Sequence, residues 1–211
     1  MLAPDERDRL IGVLERARER GFVGGGSLEF HVEHAEALVA ATDSAFAGRF
    51  LDLGSGAGVP GLTLALAWPE ATGTLVDSRQ RRCSFLDEAL RELGVAHRVR
   101  VECGRAEDLA RRPDLRGAYD LVTARGFGPP AVTAECAVGF LRSGGRLVVT
   151  EPPGAPESNR WPAKGVATLG LRAPDIRGDP GPRFAILSLP QSASERWPRR
   201  VGVPAKRPLW T

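Results

Sequence analysis

The stretch Leu51-Asp52-Leu53-Gly54-Ser55-Gly56-Ala57-Gly58-Val59-Pro60-Gly61 constrains the fold more than any other part of the chain. Arg49 to Leu53 reads as a buried strand, and Leu62 to Ala67 reads as a helix. Between them glycines recur at every second position. Glycine lets the backbone turn sharply and lets a ligand lie against bare main chain. Such a turn is weak evidence alone, because nucleotide-binding folds and plain tight turns share it. Its context is more specific. Thr74 to Asp77 reads as a second strand, and Asp77 falls 19 residues after Gly58. A carboxylate there can accept both hydroxyls of a ribose.

The same alternation continues. Arg79 to Leu93 predicts a helix with Phe85, Leu86, Ala89, Leu90 and Leu93 on one face, stopped at Gly94. Val99 to Cys103 and Tyr119 to Thr123 read as strands three and four. Pro129-Pro130 opens a helix through Leu141, closed by Gly144-Gly145, and Leu147 to Thr150 is the fifth strand. Strands and helices joined by short connections predict an α/β fold, a mostly parallel sheet with helices on both faces. Phe184 to Leu189 reads as a further strand that pairs with Val166 to Leu171 in a closing antiparallel hairpin, and Pro152 to Gly165 reads as loop. Before this body, Leu10, Ile11, Leu14 and Ala17 mark an amphipathic helix. A second runs from Ser27 to about Ala41, with Phe30, Ala35, Leu38 and Val39 inward. The expected divisions are an N-terminal helical segment 1–47, a main domain 48–190 and a basic, Pro-rich tail 191–211.

Which nucleotide the turn serves follows from its chemistry. No Gly-Lys-Ser/Thr follows it, so the parts of a triphosphate site are missing. NAD prefers Gly-x-Gly-x-x-Gly with a helix N-terminus on the pyrophosphate. Here the spacing is Gly54-x-Gly56-x-Gly58 with Asp52 two residues ahead. S-adenosylmethionine has no pyrophosphate and carries an ammonium and a carboxylate. Asp52 suits the ammonium, backbone amides suit the carboxylate, and Asp77 suits the ribose. Taken alone, Asp52 is equally a turn or cap carboxylate. Ala106-Glu107 follows strand three, where adenine would rest; Glu107 is also favoured simply as a helix N-terminal charge. Arg125 ends strand four at the pocket floor, a costly place for a cation unless it is paired or faces a ligand.

Composition excludes other classes. The chain has 211 residues and a net charge of +3, too little to decide for or against a polyanionic partner. Met1 to Arg20 alternates acid and base, and Leu62 to Trp68 is the longest apolar run. A soluble, cytoplasmic protein is expected, acting as a monomer away from membranes. Cys83, Cys103 and Cys136 are widely spaced and read as reduced, buried thiols. His31, His34 and His97 are scattered and read as surface or capping residues, with no metal site and no catalytic acid–base set.

Together, Leu51 through Gly61, Asp77-Ser78 with Arg82 and Phe85-Leu86, Gly104-Arg105-Ala106-Glu107, Thr123-Ala124-Arg125, and Leu141 through Gly145 resemble the ribosomal RNA small-subunit methyltransferase G family, also called glucose-inhibited division protein B. The closing Trp197 to Leu209 is similar to that family's last segment. The resemblance implies a class I methyltransferase sheet, S-adenosylmethionine as donor, and methylation of a guanine N7 in 16S ribosomal RNA. It implies that Gly54, Val59, Ala106, Glu107 and Arg125 contact the donor, beside Asp52, Gly56, Gly58 and Asp77 read from the residues. Two departures stand out. Glu151-Pro152-Pro153-Gly154 occupies the place of the family's Lys-Gly after strand five, and the N-terminal helical region is short. Glu151 keeps open an alternative, a methyltransferase for a small molecule or protein. For RNA, the tail offers Arg199, Arg200, Lys206 and Arg207 interleaved with Trp197 and Trp210. Equally, the tail could pack its tryptophans on the core. Arg79, Arg81 and Arg82 form a second basic patch.

Overall fold

A computed structural model describes residues 1–152, 160–178 and 181–211. In chain order the elements are α1 (Pro4–Glu19), α2 (Leu28–Thr42), β1 (Arg49–Leu53), α3 (Gly61–Ala67), β2 (Thr72–Asp77), α4 (Gln80–Glu92), β3 (Val99–Cys103), α5 (Ala106–Leu109), β4 (Tyr119–Ala124), α6 (Pro130–Val138), β5 (Leu141–Glu151), α7 (Ala163–Thr168), β6 (Asp175–Arg177), β7 (Arg183–Ser188) and α8 (Val203–Lys206). The strands form one sheet in the order β3-β2-β1-β4-β5-β7-β6. The first five are parallel, and β7 runs antiparallel to both β5 and β6.

Side chains alternate between the faces of a strand, so neighbouring residues enter different cores. Phe50, Leu121, Val148 and Ile186 face the core built with α1, α2, α3 and α4. Leu51, Val122, Val149 and Leu187 face the core built with α5, α6, α7 and Trp197. Both faces of the sheet are therefore closed, as long apolar parallel strands require. Leu10, Val13 and Leu14 of α1 are fully buried beside Leu62 and Leu64 of α3, so the N-terminal segment shares the main core. On β1, the Phe50 ring occupies the space a side chain at Gly73 would take, and packs edge-on to Trp68.

Several expectations need correction. Phe30 of α2 points outward, at 53% exposure, while its neighbour on the next turn, His34, is buried and packs on Phe184. Val166 to Leu171 is not a strand. Ala163–Thr168 is helical, and the partner of β7 is the short β6. Gly144-Gly145 does not close a helix: α6 stops at Val138, and the glycines lie inside β5, where a side chain at Gly145 would crowd the Tyr119 carbonyl. The loop expected at Pro152 to Gly165 falls partly on residues 153–159, outside the described residues. Cys83 of α4 and Cys103 of β3 are not free thiols. They are paired as a disulfide, Cα to Cα 5.8 Å, leaving Cys136 free and buried. Among the described residues no helix is long and apolar enough to cross a membrane.

Candidate functional site

The Gly-rich turn is anchored on the end of β2. The amides of Gly54 and Ser55 both donate to the Val76 carbonyl at 2.8 Å, and the Gly56 amide donates to Asp77 Oδ2 at 3.0 Å. The other Asp77 oxygen accepts from the Arg79 amide at 2.9 Å. Gly54 has φ of 75°, a region costly for any residue with a side chain. A Cβ there would also lie 2.6 Å from the Phe127 ring. The glycine thus permits both the bend and the close approach of Phe127.

Three cavities open around this turn. The first, about 330 Å³, runs from Asp77 and Ser78 past Ala106 and Glu107 to Phe127 and Val132. The second, about 390 Å³, is lined by Gly54, Gly56, Val59, Arg82, His31 and Arg125. The third, about 620 Å³, lies over the ends of β4 and β5 and includes Phe30, Arg125, Phe127, Glu151 and Arg160. Gly126 lines all three, so they meet at that residue.

Residues expected to hold the donor line two of these spaces. Asp77, 5% exposed, presents a carboxylate at the wall of the first cavity beside the bare turn. Ala106 and Glu107 line its far end, where an apolar wall suits an adenine ring. Glu107 does more than line the cavity. Burial opposes its charge, but the Gly202 amide at 3.0 Å and Arg105 at 3.1 Å outweigh that and hold its carboxyl below the usual range. In the second cavity Arg125 donates to His31 Nδ1 at 2.7 Å. Guanidinium can only donate, so the proton of the neutral ring sits on Nε2. That Nε2 is buried, and no described atom meets it at hydrogen-bond geometry. Burial, then the Arg125 charge, lowers the His31 pKa against the weaker pull of the Gly25 and Gly24 backbone, keeping the ring neutral. Arg125, held by His31, lines this cavity, and a guanidinium there suits a carboxylate such as that of a methionine end. The reading of His31 as a surface or capping residue is corrected here: it is half-buried against Arg125, and its spacing gave no signal of that contact.

Two expected donor residues are placed elsewhere. Asp52 is 1% exposed and touches none of these cavities. Its carboxylate accepts from Thr123 Oγ1 at 2.9 Å and from the Gly61 amide at 3.1 Å, pinning the turn to β4 from beneath. Its expected grip on an ammonium is therefore corrected to support of the turn. Burial pushes its pKa up to about 6 against the opposing pull of Thr123, Ser55, Gly61 and Arg125. Gly58 packs against Leu62 and Leu86 and lines none of the three cavities either.

The tail is folded onto the body. Trp197 is 1% exposed, and Arg116 donates to its carbonyl at 2.9 Å. Arg199 binds the wholly buried Glu135 through its amide, Nε and Nη2 at 2.9, 2.7 and 2.5 Å. This corrects Arg199 from an RNA contact to a tail anchor. Arg200, Lys206 and Arg207 remain exposed, and Ala205 lines the first cavity.

The sheet order with its reversed β7, together with a bare Gly-rich turn at the switch between β1 and β4 and a carboxylate at the end of β2, defines a class I S-adenosylmethionine-dependent methyltransferase. Solved structures agree in fold: a SAM-dependent methyltransferase from Aquifex aeolicus has TM-score 0.54 at 14% identity, covering 73% of this chain and 88% of that one. The N,N-8-amino-8-demethyl-D-riboflavin dimethyltransferase RosA from Streptomyces davawensis has TM-score 0.59 at 20% identity, covering 77% and 55%. Residues 28–152 match the family model described as rRNA small subunit methyltransferase G. A protein of that name from Deinococcus deserti is 37% identical over 77% of this chain and 68% of its own length. Another from Symbiobacterium thermophilum is 36% identical over 86% and 79%. The chain belongs to the rRNA small subunit methyltransferase G family.

Proposed function

We propose that this chain transfers the methyl group of S-adenosylmethionine to N7 of a guanine in 16S ribosomal RNA, alone or within the small subunit. The carrying observation is Gly126, which lines both cavities suited to the donor and a third, largely apolar one large enough for a nucleotide. When bound, the donor supplies an electrophilic methyl on a sulfonium. Asp77 would hold its ribose and Arg125 with His31 its carboxylate, aiming the methyl at the junction. Guanine N7 carries an in-plane lone pair. As the new N–C bond forms and the S–C bond breaks, positive charge passes from sulfur to the purine and no proton leaves. No general base is required, and alignment of the two reactants supplies the acceleration. Arg200, Lys206 and Arg207, with the exposed Arg79 and Arg81, are the candidates for phosphate contacts.

Mass spectrometry of 16S RNA fragments from strains with and without the gene tests this reading. The expected result is one guanine heavier by a methyl group only when the gene is present. Identical fragments in both strains would refute it.

A further inference from the structure

Glu151 and Arg160 are charged groups of the third cavity that the transfer itself does not use. Glu151 ends β5 with its side chain 5% exposed. Its Oε1 accepts from Trp161 Nε1 at 2.9 Å and its Oε2 from Arg160 Nε at 2.6 Å. An ion pair with one buried member is a poor source of stability, since desolvation offsets the attraction. It is well suited to recognition. A carboxylate has about four lone-pair sites, so two remain after these bonds. The two terminal nitrogens of Arg160 make no hydrogen bond within the described residues. Spare acceptors and spare donors therefore stand side by side in the cavity wall.

Their place in the sheet sets what they meet. Leu53 pairs with Ala124 and Ala124 with Val149, so the tip of β5 is two strands, about 10 Å, from the Gly-rich turn. Glu151 lies two residues further along. In guanine, N7 and the N1–H/N2–H edge are on opposite sides of the fused ring. A guanine with N7 at the Gly126 junction thus extends its far edge toward β5. That edge carries two adjacent N–H donors and the O6 acceptor, whereas adenine offers one amino group and a bare C–H. Phe30 and Phe127 line the same cavity and supply ring faces for stacking.

We propose that Glu151, with Arg160, reads the Watson–Crick edge of the target guanine in this cavity, Glu151 accepting N1–H and N2–H and Arg160 donating to O6. This rests on the guanine-N7 reading above and adds the residues that select the base. The test measures methyl transfer by the full chain to small-subunit RNA carrying guanosine or inosine, which lacks the N2 amino group, at the methylated position. The wild-type kcat/KM should fall about tenfold or more with inosine, the loss of a bond to a charged group. Glu151→Gln should lower the guanosine rate and erase most of the difference between the two RNAs, while calorimetric binding of S-adenosylhomocysteine is kept. Equal wild-type rates on both RNAs would overturn the proposal. So would an inosine penalty that persists undiminished in Glu151→Gln. If that variant does not fold, the wild-type comparison alone decides. Failure to methylate any small-subunit RNA would instead overturn the guanine-N7 reading.

Discussion

Asp52 shows how a buried carboxylate can be structural at the edge of a reactive site. Its oxygens bind Thr123 and Gly61, and burial raises its pKa to about 6 from an ordinary 3.8. In the unfolded chain it releases its proton near 3.8, so between these values the folded state holds a proton the unfolded state has lost. Its contribution to stability therefore declines as pH rises from about 4 to about 6 and stays low above, by roughly 3 kcal/mol in all. His34, lowered to about 4 by burial, then by the Arg125 charge, with a smaller contribution from His31 once that ring is protonated, runs the other way: its contribution is full above 6.5 and is lost as pH falls through about 4. Asp52→Asn leaves the His34 effect in place. The stability gap between wild type and Asp52→Asn should thus shrink as pH rises from about 4 to about 7, read by denaturant unfolding at each pH. A gap independent of pH would show that Asp52 is not raised. Asp77 and Asp52 look alike in sequence, each near the end of a strand beside the turn. Only the inward direction of the Asp52 side chain, onto Gly61 and Thr123, separates their roles.

Among elements, the central ones are legible because strand and helix periods differ and glycines mark each turn; β1 to β4, α3 and α4 follow that pattern. The periphery is not. Val166, Leu169 and Leu171 suit a strand or a short helix equally, and packing on the sheet face decides for α7. Phe30 belongs to the apolar face of α2 by composition, yet it overhangs a cavity, at 53% exposure. The link between α4 and β3 is invisible in the sequence because 20 residues separate Cys83 from Cys103, and only parallel pairing of β2 with β3 brings them to 5.8 Å between Cα atoms. A cross-link closing a loop of that length is worth about 3 kcal/mol by loss of unfolded-chain entropy. Alkylation after unfolding without reductant should label one thiol, Cys136, and all three cysteines after reduction. Full labelling without reductant would show the pair to be open.

At the scale of the molecule, the tail joins anchoring side chains and exposed cations in one short segment. Arg199 and Trp197 attach it, while Arg200, Lys206 and Arg207 stay in solvent. These two groups should separate experimentally. Replacing Arg200, Lys206 and Arg207 together by Ala should leave the melting temperature unchanged and weaken binding to 16S RNA, with the salt slope reduced by about 2. Arg199→Ala strands the Glu135 carboxylate in the interior and should cost about 3–5 kcal/mol of stability. Thermal melts and binding isotherms across salt concentrations check both. An unchanged salt slope in the triple variant would place the RNA on another face.

Gly126 carries a further consequence. Its φ is 65°, and a methyl group added there would meet no atom within 4 Å. Three cavities border that residue. A bulkier amino acid would bear the cost of a left-handed backbone, about 1–2 kcal/mol, without any steric clash, and would obstruct both co-substrates at once. Replacements here should accordingly lose more turnover than their loss of stability explains, and a survey scored by protein abundance alone would understate the site.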